Sequence, residues 1–553
     1  MSDAYRPPVF DAPIDLDLSK NEGRPLIADI GLGPDELASI TSRYPDTSDL
    51  AERIAERHEV SVSRVLVTAG GDDGLFRCFL ATAGRSVVAT TPSFEMIRRY
   101  AAQLQTPLIE IPWWDGDFPI GDFLDESTGD PGLAVVVSPN NPTGNVVSAA
   151  DIRKLADVFP LLVLDAAYAD FADDDPTPAA MDLGNVVVIR TLSKAFGLAG
   201  LRVGYALGPP EVIDELKTFG SPYAMASLSA VLASRALREG TGQAEEFARE
   251  VTDERGRLID LLARLGSAPL PSQANFVLAT DVDPYWLVPA AASLGVGLRK
   301  FGDRPELSRC VRISLPGDAD GFARLETVLR TVLTPEALLF DMDGVIADVR
   351  NSFRTAIVAT AARFGVSVDS SQIAAAKAGG NASDDWELTR GLCLAAGVDV
   401  SFDTVREEFE RIYQGDEGQE GLKMNEGLLV DEAYLEKWSR LLPLGIVTAR
   451  PRKDAAEFLD RFGIGRHFDV VVTRDDAPSK PDPAPVRLAL ERLGVDRAWM
   501  VGDTVDDLVA ARSADVVPIG VTAHGEDPSS LSGAARVLGS PNDLEEVLRA
   551  TKL

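Results

Sequence analysis

The sequence predicts an α/β protein built as two successive blocks, each a mainly parallel sheet covered by helices. Three observations carry this. Short runs rich in valine and leucine alternate with apolar-periodic helical stretches, the pattern of βαβ units buried on both faces. The pattern restarts at Ala337-Leu338-Leu339-Phe340. Inside this second block a long, mostly helical stretch, about residues 349–430, interrupts the strands and reads as an inserted cap.

In the first block the strand-like runs are residues 63–68, 86–89, 133–138, 161–164, 185–189 and 203–207. In the second they are residues 337–340, 444–447, 469–472, 498–501 and 517–521. A chain of 553 residues is too long for one hydrophobic core. The expected division is 1–333 and 336–553, meeting near Thr334-Pro335 without a long linker. There is no 20–50-residue repeat and no low-complexity segment.

Composition narrows the function classes. With 86 acidic against 54 basic residues the net charge is −32, and such a surface repels nucleic acid and anionic membrane. Two readings of the acidity stay open, adaptation to high salt or simply an acidic bacterial protein. No apolar run is long enough to span a bilayer, and residues 1–13 are polar and acidic, unlike a signal or transit peptide. The expected location is therefore the cytoplasm. Cys78, Cys310 and Cys393 lie far apart and read as buried apolar thiols, and His58, His467 and His524 form no ligand cluster.

The chemistry of the first block starts from Thr191-Leu192-Ser193-Lys194-Ala195-Phe196-Gly197-Leu198-Ala199-Gly200-Leu201-Arg202. Lys194 lies among apolar residues in a chain poor in lysine. A desolvated lysine has a lowered pKa and a nucleophilic amine, able to form a Schiff base with an aldehyde. Ser193 and Arg202 offer a hydroxyl and a planar cation that suit a phosphate ester. Ser138-Pro139-Asn140-Asn141-Pro142-Thr143-Gly144 puts Asn141 at a strand's C-terminal end, where α/β sheets place ligands. The next strand ends at Asp165, with Tyr168 close behind. A carboxylate on a pyridine nitrogen keeps it protonated, and a tyrosine with an asparagine can hold a phenolic oxygen. Thr68-Ala69-Gly70-Gly71-Asp72-Asp73-Gly74 joins a strand to a helix whose N-terminus can receive a phosphate. Phe94, after Thr91-Pro92-Ser93, can stack on a ring. Each feature alone has a plainer reading: a turn glycine, a capping aspartate, a core phenylalanine. The whole set in this order does not.

On these motifs, with Tyr44-Pro45-Asp46 and Val311-Arg312-Ile313-Ser314, residues 13–333 resemble the fold-type I pyridoxal-phosphate aminotransferases, those acting on histidinol phosphate above all. The resemblance implies a PLP-dependent transferase fold with large and small subdomains. It implies Lys194 as Schiff-base lysine and proton carrier, Asp165 on the pyridine nitrogen, and Asn141 and Tyr168 on the ring oxygen. It gives Gly71, Asp72, Ser193 and Arg202 the cofactor phosphate, and Arg312 the carboxylate of an amino donor such as glutamate. Arg299, in Gly297-Leu298-Arg299-Lys300, would meet the substrate phosphate, and Tyr44 would reach the neighbouring subunit's site in a homodimer. The chain departs from the pattern at three points. Asp165-Ala166-Ala167-Tyr168 lacks the usual glutamate, Asn21-Glu22-Gly23 lacks the usual proline, and Gly70-Gly71-Asp72-Asp73 is an altered phosphate loop.

In the second block, Asp341 and Asp343 follow the strand at Phe340. Carboxylates at i and i+2 share one side of an extended chain and suit a hard cation such as Mg²⁺. They also permit a division between attack on phosphorus and proton transfer. Thr448, Lys480 before Pro481-Asp482-Pro483, and Gly502-Asp503-Thr504-Val505-Asp506-Asp507 follow in order at C-terminal strand ends or the loops beyond. Together they can neutralise a transferring phosphoryl group.

This four-part order resembles the haloacid dehalogenase (HAD) superfamily, and residues 337–551 are similar to its phosphatases with a helical cap, on a Rossmann-like sheet. The resemblance implies Asp341 as the nucleophile that becomes an aspartyl-phosphate and Asp343 as general acid/base. Thr448 and Lys480 would bind the phosphoryl group. Mg²⁺ would be bound by Asp341, Asp503 and the backbone carbonyl of Asp343, with Asp507 rather than Asp506 in support. The stretch Gly379-Gly380-Asn381-Ala382-Ser383-Asp384-Asp385-Trp386-Glu387-Leu388-Thr389 reads either as a cap loop facing substrate or as a polar helix start. The zinc-binding Cys/His loop of the best-known bacterial histidinol phosphatase is absent.

Fusion of a transaminase to a phosphatase suits consecutive steps: imidazole-acetol phosphate plus glutamate to histidinol phosphate, then to histidinol. Phosphohydroxypyruvate to phosphoserine to serine has the same order, and a phosphatase clearing an unrelated phosphate is a third arrangement. Two non-enzymes complete the set, a PLP-sensing regulator and an inactive HAD scaffold. The first would carry a basic helix-turn-helix, which is not seen.

Overall fold

The computed structural model describes residues 8–25, 32–129, 131–302, 304–378, 384–416, 418–522 and 528–551. Residues 1–7, the Gly379–Ser383 part of the insert and His524 lie outside the described residues. The chain forms two compact units. One is built on Asp17–Val282 and Leu298–Arg324, the other on Val9–Leu16, Asp283–Gly297 and Leu325–Leu553.

The first unit is organised by a seven-stranded sheet. In spatial order its strands are Val65–Thr68, Gly204–Leu207, Val186–Thr191, Leu162–Asp165, Leu133–Val137, Val87–Thr91 and Leu108–Pro112. All neighbours are parallel except Gly204–Leu207, which runs against both of its partners. The central strands are wholly buried, so they read as continuous Val/Leu/Ile runs rather than alternating ones. The sequence-predicted strand at 63–68 starts late, because Ser61 caps a short 3-10 turn at Val62–Arg64. A four-stranded antiparallel sheet, Arg299–Lys300, Cys310–Ser314, Phe276–Thr280 and Ala268–Pro269, holds Arg299 opposite Arg312 in register. Neither Leu108–Pro112 nor Phe276–Thr280 was expected as a strand from the sequence.

The second unit has a six-stranded, all-parallel sheet in the order Val470–Val472, Leu444–Val447, Ala337–Phe340, Ala498–Gly502, Val517–Val521, Arg536–Leu538. The insert is helical. Phe353–Arg363, Asp385–Ala395 and Phe402–Gln414 pack around Ile357, Cys393, Phe409 and Tyr413 in a core of their own. The helix Pro284–Ser293 also belongs to this unit. It is apolar nearly all round and buried, with Trp286 against Trp499 at 4.5 Å between ring centres. All three cysteines are buried and free, and among the described residues no helix is long and apolar enough to cross a membrane.

Candidate active sites

Strand order explains the first site. The adjacent parallel strands Leu133–Val137, Leu162–Asp165 and Val186–Thr191 end at one edge, with Val137 paired to Asp165 and Asp165 to Ile189. Asn141, Asp165 and Lys194 therefore emerge side by side. The antiparallel strand begins where these end, Gly204 against Thr191, which brings Arg202 to the same edge. Its other partner ends there too, Thr68 against Gly204, and leads into the Gly70-Gly71 loop.

These residues line one cavity of about 620 Å³, an ordinary size for a small-ligand site. Gly71, Asp72, Phe94, Asn141, Asp165, Tyr168, Ser193, Lys194, Arg202, Arg299 and Arg312 all face it. Lys194 is half-buried rather than wholly desolvated, and its amine donates to the Asn21 carbonyl at 3.0 Å and lies over the Tyr168 ring. Asp165 is only 6% exposed. Burial, with the like charge of Asp72, pushes its carboxyl from 3.8 up to about 7, against the opposing pull of the Ala167 N–H and Lys194. Tyr168 Oη receives Asn141 Nδ2 at 3.4 Å and Asn21 Nδ2 at 3.2 Å. Arg312 donates to Asn141 Oδ1 at 2.8 Å and to the Ser19 carbonyl at 3.0 Å.

Gly70, at φ 83°, caps the helix Gly71–Ala81. A side chain there would meet Arg202 Nη2 at 2.6 Å, so glycine lets the guanidinium lie over the helix N-terminus. Arg202 pairs with Asp72 at 3.0 Å. Asp73 faces away, accepting from Ala69 N and Arg77 Nε. The Ser193 hydroxyl receives Thr191 Oγ1 at 2.9 Å. Tyr44 does not line the cavity: it is 78% exposed and stacks on Tyr223 at 4.3 Å. Arg304, passed over in the sequence, also lines the cavity while donating to the Ser93 carbonyl.

A pyridoxal phosphate fits this arrangement on three counts. The buried Asp165 carboxyl asks for a cationic N–H. The Asn141–Tyr168 pair is aimed at one point. The helix N-terminus with Ser193 and Arg202 forms an anion cradle.

The second site follows from its own strand order. Leu444–Val447, Ala337–Phe340 and Ala498–Gly502 are neighbours, Phe340 lying level with Ile446 and Val501, so Thr448, Asp341 and Asp503 share one edge. Lys480 Nζ bridges Asp341 Oδ1 at 2.6 Å and Asp507 Oδ1 at 2.5 Å, and donates to the Val447 carbonyl. Burial pulls the Lys480 ammonium down, but Asp341 and Asp507 outweigh it and hold it above the ordinary lysine range. Burial raises the Asp341 carboxyl; Lys480 draws it back, while Asp507 and Asp343 add to the rise. Asp507 also completes the capping box of Val505–Ser513, receiving the Thr504 backbone N–H at 3.0 Å and its hydroxyl at 2.7 Å.

Carboxylate oxygens of Asp341, Asp503 and Asp507 lie within 4.8 Å of one another. Three carboxylates against one lysine leave a surplus of negative charge that a divalent cation with oxygen ligands fits. Gly344, at φ 77°, keeps this space open, since a side chain there would meet Asp503 Oδ2 at 2.0 Å. The Asp343 carboxylate is not in the cluster. It is turned to Arg450, whose Nε donates to Oδ1 at 2.7 Å, so its side chain is no ligand of that group. Thr448 is buried and its hydroxyl accepts from Arg450 N at 3.1 Å. Arg450, Glu426 and Tyr413 were missed in the sequence. Only the folded chain brings them together.

Two sheet edges, one gathering a lysine, a buried acid and an anion cradle, the other a carboxylate cluster with a lysine, set out two candidate sites in one chain. Residues 15–325 match the family described as aminotransferase class I and II, and residues 335–515 match haloacid dehalogenase-like hydrolase. The chain belongs to the class I and II aminotransferases and carries a haloacid dehalogenase-like hydrolase domain. It is 33% identical over 300 residues to a histidinol-phosphate aminotransferase of Dehalococcoides mccartyi, covering 51% of this chain and 81% of that one. It is 45% identical over 194 residues to an imidazoleglycerol-phosphate dehydratase of Phytophthora nicotianae, covering 34% of this chain and spanning only 43% of that relative's length. Among solved structures, the histidinol-phosphate aminotransferase of Sinorhizobium meliloti in complex with pyridoxal-5'-phosphate matches 57% of this chain and 91% of that one, at 26% identity and TM-score 0.52.

Proposed function

We propose that the chain catalyses two consecutive reactions. The first moves an amino group from glutamate to imidazole-acetol phosphate, giving histidinol phosphate. The second hydrolyses that ester with Mg²⁺, giving histidinol and phosphate. The observation that carries the reading is the first cavity, where Lys194 and the buried Asp165 share one space with Arg202, Arg299 and Arg312. These three guanidinium groups match two phosphates and a carboxylate, the anions that cofactor, phosphorylated acceptor and amino-acid donor bring, while the fourth lining arginine, Arg304, is held by the Ser93 carbonyl and Glu306.

In this reading Asp165 holds the cofactor's ring nitrogen, Asn141 and Tyr168 its ring oxygen, and Phe94 its face. Ser193, Arg202 and the backbone at Gly71 and Asp72 hold its phosphate. Bound there, pyridoxal phosphate supplies an electron sink for the amino transfer. Lys194 takes a proton from the substrate's α-carbon and returns it on the other side of the exchange. Arg312 orients the donor carboxylate and Arg299 the substrate phosphate.

In the hydrolase part, an Asp341 oxygen attacks phosphorus and the bond to the leaving oxygen breaks. Asp343 gives that oxygen a proton. Water then attacks the phosphorus of the aspartyl-phosphate, passing its proton to Asp343, and Asp341 is released. Thr448 and Lys480 hold the phosphoryl oxygens. Asp341, Asp503 and Asp507, with the Asp343 carbonyl, would hold Mg²⁺, which supplies charge neutralisation.

The exposed stack of Tyr44 on Tyr223 suits a residue that reaches a partner subunit's cavity, and a homodimer is part of the reading. Phosphate release by purified protein with Mg²⁺, comparing histidinol phosphate with phosphoserine, tests it. Preference for histidinol phosphate is expected. Preference for phosphoserine would move both steps to another amino acid, and release from neither would detach the phosphatase from the aminotransferase's product.

A further inference from the structure

Arg450 follows Thr448 by two residues and is 2% exposed. Its guanidinium is shared between two carboxylates. Nε and Nη2 both reach Asp343 Oδ1, at 2.7 and 2.6 Å, while Nη1 and Nη2 donate to the two oxygens of Glu426, each at 3.1 Å, and Nη1 also to Tyr413 Oη at 3.4 Å. Phe353 and Phe458 cover it, 5.0 and 5.1 Å from the guanidinium carbon to the ring centres. Glu426 is 5% exposed and also receives Ser352 Oγ and Tyr413 Oη, each at 3.0 Å. Ser352, Phe353, Tyr413 and Glu426 all belong to the helical insert. Asp343 and Arg450 belong to loops at the catalytic edge of the sheet.

A purely structural ion pair would be complete with Glu426, whose two oxygens already match the fork and neutralise the charge. Yet Nε is spent on Asp343 and Nη2 is shared with it, although the Asp343 side chain is still 27% exposed. A carboxylate with access to water needs no buried arginine for its stability. What the arginine adds is a fixed direction. The planar fork cannot turn without breaking its bonds to Glu426, so the insert's hold on Arg450 sets where Asp343 points.

We propose that Arg450 is a positioning residue through which seating of the helical insert, by Tyr413 and Glu426, orients Asp343 for proton transfer. The proposal rests on the phosphatase reading above. Hydrolysis then requires the insert to be docked even for a substrate too small to touch it.

The test uses the full chain with Mg²⁺ and p-nitrophenyl phosphate, comparing wild type, R450K and Y413F. Inhibition by inorganic phosphate reports that the hydrolase fold and its phosphate subsite survive, and transamination in the same preparations reports the other unit. R450K keeps the charge and loses the fork, so kcat is expected to fall about tenfold or more with KM nearly unchanged. Y413F removes one hydroxyl that never meets Asp343, and kcat is expected to fall about threefold, again without a rise in KM. Unchanged kcat in both variants overturns the proposal, as does a loss confined to KM or one matched by weaker phosphate inhibition. A wild-type protein that releases no phosphate from any ester overturns the phosphatase reading instead, and the proposal falls with it.

Discussion

Asp165 shows how a single residue can be built for its ligand at the expense of the free protein. Its carboxyl moves from 3.8 to about 7, burial being the main cause. Between those pH values an unfolded chain has released the proton and the folded one retains it. Stability is therefore lost as pH rises through this window, and the loss levels off above about 7. Asparagine has no charge to bury. Cofactor-free D165N should thus gain in melting temperature relative to wild type between about pH 5 and pH 8, while losing its hold on pyridoxal phosphate. Melting curves at both pH values, with absorbance of bound cofactor, check this, and a difference independent of pH would sink it. Asp165 was legible in the sequence because its role is local: a buried strand ends in an acid, and a tyrosine follows. Asn21 was not, although it holds both Lys194 and the Tyr168 hydroxyl. It stands 147 residues from Tyr168, and its neighbours Glu22 and Gly23 carry no sign of that contact. Arg450 escaped for the same reason, its partner Asp343 lying 107 residues away.

At the scale of elements, the buried parallel strands were the legible part, because residues covered on both faces must be apolar along their whole length. The strands Leu162–Asp165 and Ala498–Gly502 differ from their sequence readings by only a residue or so at either end. The helix Pro284–Ser293 was not placed from sequence. Its apolar residues occupy nearly every position, which tells that it is buried and hides where. It lies within the stretch matched to aminotransferases, yet it joins the compact unit of the hydrolase sheet. There Trp286 meets Trp499, and the two indole N–H groups donate to the Val332 and Thr331 carbonyls at 3.2 and 2.9 Å. Trp286→Ala would leave a cavity against Trp499 and should destabilise that unit by about 3–5 kcal/mol. The expected result is loss of phosphatase activity at a lower temperature than in wild type, from a substitution outside the hydrolase-matched residues. Thermal inactivation followed by phosphate release measures it, and an unchanged inactivation temperature would show that the helix contributes nothing to the sheet it packs on.

For the whole molecule, the charge of −32 acts on stability through self-repulsion. Salt shortens the reach of that repulsion, to about 3 Å at 1 M. Melting temperature should therefore climb by several degrees from low to molar KCl, and a flat profile would assign the acidity to composition alone. The division into two compact units has a second consequence. Lys194, Asp165 and Arg312 lie wholly within one unit, and Asp341, Lys480 and Asp503 wholly within the other. Neither set borrows a residue from the other. K194A should then keep phosphatase activity and lose amino transfer, and D341N should do the reverse, each by orders of magnitude. Mixed in equal amounts with imidazole-acetol phosphate, glutamate and Mg²⁺, the two variants should together form histidinol that neither forms alone. A lag is expected while histidinol phosphate accumulates in solution. Failure of the mixture, with each variant active in its own half-reaction, would mean that the intermediate passes between sites of one molecule and that the fusion does more than keep two enzymes in equal number.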